Sequence, residues 1–143
     1  MNHTIVEENS MLGAYNWKIS RGNEAENSLQ GYVIPQYAKP ASKISFYASS
    51  ELDSCEFMIR IYRLGWYNGA GARQVHFSEV LITGNHGVWS KNSGWVSKEV
   101  NGDVQEGMNW PKVYELYIPE GWLSGSYIAR FETLDGKAYI HPF

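Results

Sequence analysis

Alternating apolar and polar positions run through much of the chain and predict β-strands. The clearest run is Cys55–Leu64, in which every second residue from Cys55 to Ile61 is apolar, while Arg60 and Tyr62 lie on the opposite face. Because successive side chains of a strand point to opposite faces, this spacing places one face on a core. The same pattern predicts strands near residues 43–48, 113–118 and 127–132. Weaker candidates, each bounded by Gly, Asn, Pro or Ser, are Asn16–Ile19, Leu29–Ile34, Gln74–Ile82 and Lys137–Phe143.

Helical periodicity is nearly absent from the chain. Only Asn23–Leu29 is a modest candidate, it has no apolar stripe, and we expect any helix to be a single turn. Seven or eight short strands without helices between them predict an all-β protein, an immunoglobulin-like antiparallel sandwich of two sheets. The longest irregular stretch, Thr83–Met108, is too long for a hairpin loop and is typical of functional loops.

Length and composition agree with this fold class. A chain of 143 residues is sufficient for one domain, and its 15% aromatic residues and 14 glycines favour strands and turns. We expect residues 1–15 to form an N-terminal arm or edge strand and residues 16–143 to form the sandwich domain.

Charge, hydropathy and the few cysteine and histidine residues narrow the classes of partner and site. Twelve Lys and Arg residues against 15 Asp and Glu residues give a net charge of −3 without a basic run, which disfavours nucleic acid. No basic amino-terminal region or apolar stretch of roughly 18–20 residues predicts a signal sequence or a membrane span, so we expect a soluble, cytoplasmic protein. The lone Cys55 is interpreted as an inert buried thiol, and the scattered His3, His76, His86 and His141 predict no metal site.

A specific motif follows the clearest strand. Residues 63–73 read RLGWYNGAGAR, and this stretch resembles the immunoglobulin-like domain of the N,N-dimethylformamidase beta (large) subunit family. Corroborating segments lie in the same order, so the resemblance covers the chain from about Trp17 onward. These segments are Gln30-Gly31-Tyr32, residues 43–47, Trp110-Pro111 and residues 121–130.

The resemblance implies a fold and a setting rather than an activity of this chain. Family members are multidomain amidohydrolases, or resemble them, and a larger domain carries both the chemistry and an iron site built from tyrosines and a carboxylate. None of those ligands is matched here. The resemblance therefore implies an accessory domain without catalytic residues or cofactor of its own. Within a larger protein, the expected activity is hydrolysis of linear amides.

Two interpretations of the motif stay open at this point. In the structural one, Gly65, Gly69 and Gly71 form a sharp turn, the flanking arginines bond to carbonyl groups, and the aromatic pair caps a sheet edge. In the functional one, the motif presents a docking patch for a catalytic domain, a subunit or a second copy of the chain, because Trp, Tyr and Arg dominate interface hot spots. The candidate docking residues are Arg63, Trp66, Tyr67 and Arg73, with Trp95 and Trp110 as a second tier.

Two rival functions remain. Tryptophans near asparagines on an exposed edge would suit a free-standing carbohydrate-binding or adhesion module. The favoured interpretation of the same rings is that they plug the ends of the core or face another domain. These tryptophans are Trp89, Trp95, Trp110 and Trp122. The other rival is a small amidohydrolase or iron protein in its own right. The chain has no Gly-x-Ser-x-Gly motif for a nucleophilic serine.

Overall fold

The computed structural model describes residues 4–35, 41–90, 94–96 and 110–143. Single 3₁₀ turns lie at Tyr15–Trp17, Glu26–Ser28 and Tyr67–Gly69. The other elements are the helix α1 (Ile5–Asn9) and the strands β1 (Gln30–Ile34), β2 (Lys43–Ser49), β3 (Cys55–Leu64), β4 (Ala72–Phe77), β5 (Leu81–Thr83), β6 (Val88–Ser90), β7 (Gly94–Val96), β8 (Lys112–Tyr117), β9 (Tyr127–Thr133) and β10 (Ala138–Pro142).

Two antiparallel sheets form a sandwich. One has the order β1-β2-β8, and the other has the order β10-β9-β3-β4 with β5 also paired to β3. The chain passes from the first sheet to the second between β2 and β3, returns between β5 and β8, and crosses to the second sheet again between β8 and β9. Eight strands in two sheets confirm the predicted all-β sandwich. A further hairpin of β6 and β7 lies within Thr83–Met108, whose residues 97–108 are outside the described residues.

The strand predictions are mostly confirmed. Cys55–Leu64 has the predicted bounds, whereas Gln74–Ile82 falls on two strands, β4 and β5. Asn16–Ile19 is not a strand, because the chain there crosses a sheet face instead of running beside a strand. Asn23–Leu29 contains the expected single turn. The helix α1 was not predicted, since the side chain that it buries is a glutamate.

The core lies between the inner faces of the two sheets. The rings of Phe46, Phe57 and Phe131 meet there, with the centroid of Phe131 at 6.5 Å from Phe46 and 6.3 Å from Phe57. Cys55 is buried at the end of the same face, and burial raises the pKa of its thiol, which disfavours the reactive thiolate. No helix in the described ranges is long and apolar enough to cross a membrane.

Residues 13–25 cross the outer face of the five-stranded sheet, and we call them the N-terminal strap. At β4 the amide of Ala14 donates to the carbonyl of Ala72 at 2.8 Å, and at β10 the amide of Ala25 donates to the carbonyl of Ala138 at 2.8 Å. Tyr62 is fully buried in a second, smaller core beneath the strap. The outer face is therefore apolar and covered at this end, where simple alternation predicts an open polar face.

One histidine at the edge of the sandwich makes stability depend on pH. Burial lowers the pKa of His76 below its ordinary value of 6.5, and Nε2 lies 2.7 Å from the hydroxyl oxygen of Tyr114. The unfolded chain thus takes up this proton at a higher pH than the folded chain. The free energy of unfolding should fall as the pH drops below about 6.5 and should level off below the folded pKa.

We expect the His76→Gln variant to lose less stability than the wild type between about pH 7.5 and about pH 5. Urea unfolding at both pH values measures the difference. His141, whose pKa burial also lowers, is present in both proteins and cancels in the comparison. Equal losses in the two proteins would contradict the role of His76.

Candidate functional site

Residues 63–73, here called the signature loop, join the end of β3 to the start of β4. Arg63 and Arg73 are direct partners in the strand register, so both side chains leave the same face of the sheet. Between them the backbone turns through left-handed conformations at Tyr67 and Asn68, with φ of 42° and 55°. Such values are unfavourable for residues other than glycine and need support from the surrounding structure.

This turn sends the two aromatic residues of the motif in opposite directions. Tyr67 is 1% exposed, whereas its neighbour Trp66 is 67% exposed. The predicted aromatic pair therefore does not act as one unit. Tyr67 belongs to the interior and Trp66 belongs to the surface.

The glycines of the motif make the turn and the packing around it feasible. Gly69 and Gly71 both have φ of +90°, which side chains rarely tolerate. At Gly65 a β-carbon would lie 2.7 Å from Oδ1 of Asn9 and 2.9 Å from the ring of Tyr67. These contacts support the structural interpretation of the three glycines.

A buried polar chain links the signature loop to α1. The hydroxyl of Tyr67 donates to Oε2 of Glu8 at 2.7 Å and accepts from Nη1 of Arg63 at 3.1 Å. Arg73 donates to the same carboxylate through Nε and, at 3.0 Å, through Nη2. Nη2 of Arg63 also donates to the carbonyl of Ser124 at 2.7 Å. Arg63 thus bonds to a carbonyl as predicted, but the principal anion of the cluster is Glu8.

The electrostatics of this cluster favour its charged and hydrogen-bonded form. Burial, together with the hydrogen bond to Glu8, raises the pKa of Tyr67, so its hydroxyl keeps the proton that it donates. Burial alone would lower the pKa of Arg73, but the hydrogen bond and the charge of Glu8 outweigh it and raise the pKa. Glu8, Tyr67 and Arg73 therefore satisfy one another, whereas Nε of Arg63 is buried without a hydrogen-bond partner among the described residues.

The same cluster does not suit iron. A tyrosine and a carboxylate are donor types that bind this metal, but two guanidinium groups already adjoin them, and their positive charge opposes a cation. In the ranges that the structure describes, no group of three or more His, Cys, Asp and Glu side chains is arranged to hold a metal ion. We assign no metal chemistry to these residues.

Trp110, one of the two second-tier docking residues, packs on the three-stranded sheet instead of joining the signature loop. Trp110 is buried, and its ring lies 5.2 Å from that of Tyr32 on the three-stranded sheet. Trp95 is on β7, and its side chain lies outside the described residues, as does that of Trp89. Trp122 is half-buried and stacks on Tyr127 at 5.4 Å. Both described loop tryptophans therefore pack on rings of this chain, which does not favour carbohydrate stacking.

The N-terminal helix, with its glutamate inside and its apolar residues outside, was not predicted from the sequence. Glu8 is 1% exposed, whereas Val6 is 80% exposed and Leu12, just beyond the helix, is 90% exposed. One signal was present, because Thr4-Ile5-Val6-Glu7 has the spacing of a helix capping box. The amide of Glu7 indeed donates to Oγ1 of Thr4 at 3.1 Å.

Comparison with known proteins identifies one family. The family model described as "N,N-dimethylformamidase beta subunit-like, C-terminal" matches residues 58–143, which is more than half of the chain. No curated protein and no solved structure matches the chain. The matched region begins within β3 and includes the signature loop, whereas α1 and the N-terminal strap precede it.

Proposed function

The chain belongs to the N,N-dimethylformamidase beta subunit-like family, and from this membership we propose that it is a non-catalytic accessory domain that docks onto the catalytic part of an amidohydrolase of this family. The polar side chains of the signature loop support a non-catalytic role. Arg63, Tyr67 and Arg73 bond to Glu8 and to backbone, so they offer no free acid, base or nucleophile to a substrate.

The observation that carries the proposal is the inverted orientation of the N-terminal segment. Val6, Leu12 and Tyr15 are strongly exposed, and α1 packs against the turn that follows the exposed Trp66. We call these four residues the docking face. Covering a side chain such as leucine or valine is worth about 1.5–3 kcal/mol, so a partner that buries several of these residues gains affinity from them.

The family description supports the choice of partner. It refers to the C-terminal part of a subunit, and the docking face lies on the segment that precedes the matched region and on the loop that opens it. The catalytic part of that subunit type is therefore the occupant that we propose. Trp66 is its expected anchor, since tryptophan is the residue most enriched among hot spots.

Capture experiments test the docking face. The purified chain is used as bait in an extract of its host, and bound polypeptides are identified by mass spectrometry and titrated. We expect capture of an N,N-dimethylformamidase-like polypeptide. Trp66→Ala and Val6→Ser should each weaken this binding at least about tenfold, because each removes apolar surface that the partner buries in the complex.

Ile82→Ser provides the matched control, because Ile82 is a strongly exposed β-branched residue on β5, away from the docking face. It should bind like the wild type. The purified chain should also release no dimethylamine from N,N-dimethylformamide. Release above the blank would contradict the non-catalytic role, and equal weakening by all three substitutions would contradict the docking face.

A further inference from the structure

The helix α1 is held on the signature loop by polar contacts instead of apolar packing. Its five residues are far fewer than the roughly 12–15 that an isolated helix needs in water. Ile5 and Val6 are exposed, and Glu8 is the one helix residue that is buried. The position of the helix therefore depends on this carboxylate.

The receiving site for Glu8 is built by strands that do not need the helix. Arg63 is fixed by its bond to the carbonyl of Ser124, and the pairing of β4 with β3 fixes the backbone of Arg73 opposite Arg63. The left-handed backbone at Tyr67 aims its hydroxyl at the same point. Two guanidinium groups and one hydroxyl thus form a preorganised site for a carboxylate.

We propose that Glu8 is a latch, a positioning residue that holds α1 on the signature loop and thereby fixes the segment that carries Val6 and Leu12 relative to the loop that carries Trp66. Release of the latch is local, because the N-terminal strap stays attached through Ala14 at β4 and through Ala25 at β10. The chain thus has a seated state with a complete docking face and a released state without one.

The latch sets the affinity for the docking partner. A partner that contacts Val6 and Trp66 together binds the seated state, so its apparent affinity falls in proportion to the seated fraction. This consequence rests on the proposed function, whereas the latch itself rests on contacts within the chain.

Hydrogen exchange of the chain alone tests the latch, with Glu8→Gln as the variant and Glu7→Gln as the matched control. Glu7 is an exposed acid on the same helix, so both changes remove one negative charge. In Glu8→Gln we expect the amides of Glu8, Ser10 and Met11, which bond within the α1 segment, to exchange at least about tenfold faster. The amide of Ala14 should stay close to its wild-type exchange rate, and the melting temperature should fall less than in Arg63→Met, because the bond of Arg63 to Ser124 remains.

Three results would overturn the latch. They are unchanged exchange of α1 in Glu8→Gln, equally fast exchange in Glu7→Gln, and faster exchange throughout the sandwich, which would make Glu8 a support of the whole fold.

A separate titration with the captured polypeptide tests the consequence for docking. There, Glu8→Gln should weaken binding at least about tenfold at a temperature where both proteins are folded, and unchanged binding would show that docking does not depend on the latch. Failure of the wild type to capture a partner would overturn the proposed function without touching the exchange result.

Discussion

Phe131→Ala is expected to lower the free energy of unfolding by about 3–5 kcal/mol, the largest loss from any single substitution considered. Phe131 is fully buried on β9 and contacts the rings of Phe46 and Phe57, so its ring joins the two sheets. Removing it leaves a cavity that the surrounding strands cannot close. Urea unfolding followed by circular dichroism measures the loss.

Phe77→Ala is the control for this prediction. Phe77 is 61% exposed at the end of β4, and its truncation should change stability by less than about 0.5 kcal/mol. A similar loss in both variants would contradict the assignment of the core to the space between the sheets.

Arg63→Met is expected to cost about 2–4 kcal/mol. Methionine keeps much of the side-chain volume but removes the hydrogen bonds to Tyr67 and Ser124, and it leaves the buried hydroxyl of Tyr67 without this donor. The same urea experiment measures the effect.

Arg60→Met gives the comparison on the same strand. Arg60 is partly exposed and pairs with Glu132 at 2.7 Å on the outer face, where an ion pair is worth about 0–1 kcal/mol. If Arg60→Met destabilised the chain as much as Arg63→Met, the buried cluster would have no special part in stability.

The strands of the sandwich were predictable because each is indicated by a pattern of neighbouring residues. Period-two alternation in Cys55–Leu64 reports directly which side chains face the core, and the apolar positions of β2 follow the same rule. On β9, by contrast, all residues from Tyr127 to Phe131 are buried, so both faces of that strand are covered. The alternation failed at Tyr62, whose outward face is covered by the strap. A contact between residues distant in sequence leaves no mark in the pattern of a single strand.

The candidate site was predictable only in part. The motif RLGWYNGAGAR indicated a constrained turn. The sequence does not show that Tyr67 points inward and Trp66 outward, because these directions depend on the left-handed backbone at residues 67 and 68. Glu8 was missed because its partner Arg73 is 65 residues away. An acidic residue in a polar segment ordinarily predicts solvent exposure.

The structural interpretation of the motif and the docking interpretation apply to different residues. Arg63, Tyr67 and Arg73 lie with Glu8 in the cluster that supports the turn, and Trp66 is the one member of the predicted first-tier patch that is strongly exposed. The docking proposal therefore depends on Trp66 together with an N-terminal segment that the sequence analysis left without a role.

The most direct test of docking is the hydrogen-exchange footprint of the chain in complex with the captured N,N-dimethylformamidase-like polypeptide, compared with the chain alone. Binding through the docking face predicts slower exchange in residues 5–17 and 65–71, with unchanged exchange around Phe77 and Ile82. Slower exchange confined to the surface around Phe77 and Ile82 would contradict it.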